Sequence, residues 1–136
     1  MDIFSHAVAG VCTGQIFGYP VLGGIAAIVP DVVLGLKRAI RPTVLYRFTH
    51  SLLGVFYFTA LASFTSDAAM FTVLFAMLSH IVLDIPTHAR LWAPRLLFPV
   101  TDEPVYVAEE WEWFNSSWCK GLGLTLIWSS ACLLLA

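Results

Sequence analysis

The sequence predicts an all-α protein, a polytopic membrane helix bundle made of an N-terminal helical hairpin and about three spanning helices. Three observations point there. The 136 residues are 59% hydrophobic and only 12% charged, with a mean hydropathy of +0.82. A soluble domain of this length has too much surface for its volume to hide so much apolar area. The apolar residues also fall into four long stretches, and the basic residues gather between them. One domain, 1–136, is expected at this length, and the N-terminus, with Asp2 and no basic residue, reads as a retained segment rather than a signal peptide.

The first stretch, Ile3 to Pro30, carries no formal charge, only His6, and Gly18-Tyr19-Pro20 interrupts it as a helix stop and restart. Gly10, Gly14 and Gly18 recur every four residues, which predicts a small-residue groove for close helix approach. The second stretch runs from Phe48 to Ser66 and contains His50. The third, Ala68 to Ile85, is expected to end there because Pro86 disfavours helical geometry in the residue before it. The fourth, Trp113 to Ala136, is interrupted only by Lys120. A crossing needs about 20 residues, so the last three fit one pass each.

Lys37, Arg38, Arg41 and Arg47 lie between the first and second stretches, and Arg90 and Arg95 between the third and fourth. Both loops are therefore expected to face the cytoplasm, with Asp67 and the C-terminus on the other side. Trp111, Phe114 and Trp118, beside Glu109, Glu110 and Glu112, read as an interfacial aromatic anchor with a solvated acidic edge within the 102–112 region. Cys12, Cys119 and Cys132 have no metal or redox spacing and read as reduced packing residues. A net charge of −2 and the lack of a basic aromatic stripe argue against a nucleic-acid partner.

Against this apolar background LSHIVLDIPTH places His80, Asp84 and His88 four residues apart. His80 and Asp84 share one helical face, and His88, past Pro86, is expected on the loop just beyond the helix. His50 in RFTHSLLG and Asp31 after Pro30 fall at the same expected membrane face. His6 joins them only if the first stretch folds back, since a straight helix would separate residues 6 and 31 by roughly 37 Å. A carboxylate at membrane depth costs a few kcal/mol unless it is paired, protonated or bound to metal. Imidazole and carboxylate together suit zinc, and also manganese or iron. Arg47 could hold a phosphate oxygen bidentately. Singly, each residue has a structural reading: a hydrogen-bonded histidine, or Asp31, Thr49 and Ser51 as helix caps.

In order and spacing, SHAVAG, IVPD, YRFTHSLLG and SHIVLDIPTH with the following LLFPV resemble the YdjM-type membrane-bound metal-dependent hydrolases over about residues 2–101. That family is in turn similar to the zinc phospholipases C and related single-strand nucleases. The resemblance implies a cytoplasmic-membrane hydrolase acting on phosphoesters, lipid-linked ones included, with His6, Asp31, His50, His80 and Asp84 as the ligands of a divalent metal, zinc first. Asp84 or Asp31 is then the candidate general base and Arg47 the charge stabiliser. Two departures stand out: Val33 replaces the second Asp of Pro-Asp-x-Asp, and Tyr46 stands where a histidine often precedes the arginine. The expected partners are membrane lipid and a phosphoester substrate, with a second copy of the chain allowed. The alternative is a small non-enzymatic membrane protein with a structural metal site or polar packing network. Transport of a metal ion or proton ranks lower, because the polar residues gather at one face.

Overall fold

The computed structural model describes residues 1–32, 42–107 and 118–136 and contains six helices, with no strand among the described residues. Helix α1, Ile3–Ile16, starts where the Asp2 side chain accepts the amide of Ser5, filling one of the orphan donors of the first turn. It ends at Gly18, whose φ of +79° is the left-handed conformation that glycine adopts without a Cβ clash. Pro20, with no amide hydrogen to lose, opens α2, Pro20–Val32. The expected hairpin is therefore present.

Its seam is made of glycine. A Cβ on Gly10 would meet the Gly23 carbonyl and the Ala27 side chain, and one on Gly23 would meet the backbone of Gly10 and Gly14. Gly18 is not part of this groove: it shapes the turn, and a Cβ there would have nothing within 4 Å.

The second apolar stretch is not one helix. Helix α3, Val44–Thr49, is followed by a break at His50-Ser51 and then by α4, Leu52–Ser63. Ser51 is extended and its hydroxyl caps the Gly54 amide. Two backbone bonds hold the break, Arg95 N to His50 O at 3.1 Å and Leu52 N to Leu96 O at 3.0 Å. Of the proposed caps, Ser51 acts as one. The Thr49 hydroxyl instead faces the carbonyls of Tyr46 and Pro30, and Asp31 lies inside the last turn of α2.

Helix α5, Asp67–Asp84, is capped by Ser66 and stops before Pro86, as the sequence predicts. Helix α6, Trp118–Leu135, packs along α1: Met1 lies against Gly121 and Thr125, and Thr13 receives the Trp128 indole N–H. The long helices thus alternate in direction, and the start of α1, the ends of α2 and α5 and the α3–α4 break meet at one end. The predicted stretch at 33, 37–41 and 108–117, including the acidic and aromatic residues there, lies outside the described residues.

Ala26, Ala27, Val55, Val73, Ala76, Met77 and Ile81 form the apolar core. Outward faces carry Phe4, Val21, Phe56, Phe64, Leu126, Ile127 and Leu134, all well exposed. Among the described residues α5 alone is long and apolar enough, by length and composition, to cross a membrane; α1, α2, α4 and residues 119–135 are apolar but shorter. The three cysteines are free, and Cys119 is exposed rather than packed.

Candidate metal centre

One ligand atom from each of Asp31, His50, His80 and Asp84 lies within 4.8 Å of the others. Three segments deliver the four residues: the last turn of α2, the α3–α4 break, and the end of α5, which supplies two positions one turn apart. His50, His80 and Asp84 are fully buried, while Asp31 is 22% exposed and forms the open side.

The histidine tautomers follow from the backbone. Nδ1 of His80 lies 2.7 Å from the Ala27 carbonyl, and Nδ1 of His50 lies 3.0 Å from the Tyr46 carbonyl. A carbonyl only accepts, so both Nδ1 atoms carry hydrogen and both neutral rings turn an Nε2 lone pair inward. Those two Nε2 atoms are 3.1 Å apart. Asp84 Oδ2 lies 3.1 Å from one and 3.5 Å from the other, yet it is buried with no hydrogen-bond partner. Asp31 Oδ1 adds a further acceptor 3.5 Å from His50 Nε2. Lone pairs this close repel unless a cation or an extra proton lies among them. Nitrogen and carboxylate donors with fixed outer hydrogen bonds fit a divalent metal.

His6 stands beside this group. Its ring stacks on His80 with centroids 3.8 Å apart, and its Nε2 lies 3.0 Å from Asp84 Oδ1 and 3.9 Å from Asp31 Oδ2. The hairpin therefore does return Asp31 to the level of His6. Tyr46 stacks on His50 with centroids 3.7 Å apart, and its hydroxyl donates to the Trp92 carbonyl. Where the resemblance leads one to expect a histidine, Tyr46 provides a wall for the His50 ring.

His88 lies closer to this site than its place after Pro86 suggested. One further turn continues past the proline, with His88 N donating to Asp84 O at 3.0 Å, and this carries His88 Nε2 to 3.3 Å from Asp84 Oδ1. The even four-residue spacing of His80, Asp84 and His88 was the signal for it. The Met1 amino nitrogen lies 2.5 Å from Asp84 Oδ1 and 2.7 Å from His88 Nε2. Arg47 does not point freely at the cluster: its Nη1 donates to Asp102 Oδ2 at 2.7 Å, and Asp102 Oδ1 lies 3.0 Å from Arg95 Nε. Arg95 and Asp102 were not among the site residues read from the sequence, because nothing local ties residues so far apart.

An all-helical chain of apolar helices with histidines and carboxylates gathered at one end defines the class: a helical protein of membrane-type composition with a cluster able to hold a metal. The chain matches the family model of the YdjM inner membrane proteins over residues 1–136, and it belongs to that family. No curated protein and no solved structure matches it.

Proposed function

We propose that this chain is a multi-pass protein of the inner membrane that hydrolyses phosphoesters with a divalent metal held by Asp31, His50, His80 and Asp84. The convergence of two inward Nε2 lone pairs and two carboxylates carries this reading. The outward apolar side chains support membrane embedding. Arg47, Arg90 and Arg95 lie at the cluster's end of the bundle and Asp67 at the other, which supports a cytoplasmic site.

A divalent cation supplies Lewis acidity there, polarising a phosphoryl oxygen and making water easier to deprotonate. The chain's own residues supply the rest. Ala27 and Tyr46 carbonyls hold the two imidazoles in the ligating tautomer. Asp31, the more exposed of the two carboxylates, would accept the proton of an attacking water. His6, its Nε2 3.0 Å from Asp84 Oδ1, would hold that carboxylate in position.

A structural role is the second reading, favoured by the complete burial of His50, His80 and Asp84. Metal content by mass spectrometry on wild type, His80→Ala and Asp84→Ala separates these from a plain packing network. Stoichiometric metal in wild type, lost in both variants, supports a metal site. Metal-dependent hydrolysis of a chromogenic phosphate ester by wild type, absent from both metal-free variants, then selects the enzyme, and a metal-loaded wild type without hydrolysis selects the structural role. A metal-free, equally stable trio of proteins rules out both metal readings.

A further inference from the structure

We propose that Arg47 and Arg95 form a binding site for a phosphate group, and that the Asp102 carboxylate occupies that site as an internal stand-in. The substrate class rests on the phosphoester reading above; the arginine pair and its carboxylate stand on their own geometry. Each oxygen of Asp102 addresses a different guanidinium, Oδ2 taking Arg47 Nη1 at 2.7 Å and Oδ1 lying 3.0 Å from Arg95 Nε. Two oxygens of a phosphate can take the same two places, because guanidinium forks suit both anions.

Asp102 fills the site incompletely. Among the described residues, two guanidinium charges face one carboxylate charge, and a phosphate dianion balances them better. The Nε atoms of Arg47 and Arg95 are both buried with no hydrogen bond, the short Arg95–Asp102 approach being poorly aligned for one. A tetrahedral anion has more acceptor oxygens to offer these donors. Arg95 is preset, with its side chain 9% exposed and its Nη1 on the Ala93 carbonyl at 3.0 Å. Asp102 is 49% exposed and lies on a segment without helix, so the carboxylate can leave at small cost.

The position suits a substrate shared with the metal centre. Arg47 precedes His50 by three residues, about 4.5 Å of helical rise, and the Arg95 amide donates to the His50 carbonyl. Both arginines thus branch from backbone that flanks a candidate metal ligand.

The test is a calorimetric titration of the full chain in detergent with inorganic phosphate, in chelator so that no metal contributes. Asp102→Asn removes the competing charge and keeps the shape. It is expected to bind phosphate on the order of tenfold more tightly than wild type, and Arg47→Ala added to it should abolish the gain. Glu103→Gln, next in the chain, should behave as wild type. A second arm uses nanodiscs of phosphatidylcholine with and without phosphatidic acid. A gain for phosphatidic acid discs alone identifies a lipid headgroup as the source, and a gain for free phosphate identifies a soluble ester; either supports the site. No gain in both arms, in an Asp102→Asn protein that melts like wild type, overturns it. If that variant does not fold, wild-type protein is modified with phenylglyoxal instead. Phosphate should protect Arg47, and unchanged labelling of Arg47 overturns the proposal. Because chelator is present throughout, a failure here leaves the metal reading standing, and a metal-free protein leaves this one standing.

Discussion

Around His50 the chain gathers acceptors, and one turn away along α3, around Arg47, it gathers donors. The two clusters are balanced differently. At the first, two histidine lone pairs and two carboxylates meet, all but Asp31 out of water, and Asp84 Oδ2 has no hydrogen-bond partner. At the second, the chain supplies its own counter-ion, Asp102, half in solvent. Burial makes the first imbalance costly: the Met1 ammonium answers Asp84 Oδ1, but Asp84 Oδ2 and the inward lone pairs stay unmatched, and desolvated polar groups without partners are strongly unfavourable. Exposure makes the second cheap to exchange. On the readings proposed above, the first cluster would take a small cation that sheds its water to enter, and the second an anion that displaces one already there.

The largest expected effect tests the first half of that contrast. His80→Ala and Asp84→Ala each remove a central ligand, and metal affinity should fall by more than the roughly ten- to hundredfold typical of outer-shell partners. His6→Ala, beside the cluster, should fall within that smaller range. Equilibrium dialysis with zinc ranks the three, and equal losses would place His6 among the ligands. Phosphate binding at the arginines in chelator should be unchanged in all of them. The next effect comes from the hairpin. In Gly23→Ala the new methyl meets the Gly10 carbonyl, so α2 must shift away from α1. Such overpacking costs about 1–3 kcal/mol, read by thermal unfolding, and it should weaken metal through displaced Asp31 while sparing the arginine site. Loss of both would show that the clusters are not separable.

Much of the first cluster was legible in the sequence, and little of the second. Polar residues in an apolar chain advertise themselves, because each needs a partner; His6, Asp31, His50, His80 and Asp84 were found that way, and the Gly18-Tyr19-Pro20 breaker allowed the hairpin that joins them. The break at His50-Ser51 was not legible, since it is held by backbone bonds from residues 95 and 96 that leave no mark on composition. His88 was placed too far out because Pro86 blocks the preceding residue's helix, yet the chain turns once more beyond it. Gly18 fitted a four-residue pattern that two of its three members use. The Arg47–Asp102–Arg95 arrangement depends on how an irregular segment folds back, which charged residues in a loop do not announce.

A smaller effect concerns Asp2, which sets the start of α1 and so the position of His6. Burial raises its carboxyl pKa, but the hydrogen bonds from the Ser5 hydroxyl and amide outweigh it and hold the group below its ordinary 3.8. A carboxyl depressed in the folded state contributes stability that is present above 3.8 and lost as pH falls through the lower folded value. Asp2→Ala should cost about 1 kcal/mol at neutral pH, as for other caps. That difference from wild type should vanish on acidification below the ordinary carboxylate range. A pH-independent difference would mean that Asp2 acts through packing alone.

The smallest expected change decides what Asp102 is for. If it merely pins residues 101–105 to α3, removing it should unfold that segment and lower the melting temperature. As one member of a partly exposed ion-pair set it should contribute only about 0–1 kcal/mol, and Asp102→Asn keeps its shape. Near-equal melting of Asp102→Asn and wild type, together with the tighter phosphate binding expected above, would show a carboxylate retained for exchange rather than support. A large drop in melting temperature would make Asp102 a structural counter-ion, and the contrast between a site that awaits its ion and a site that trades one would collapse.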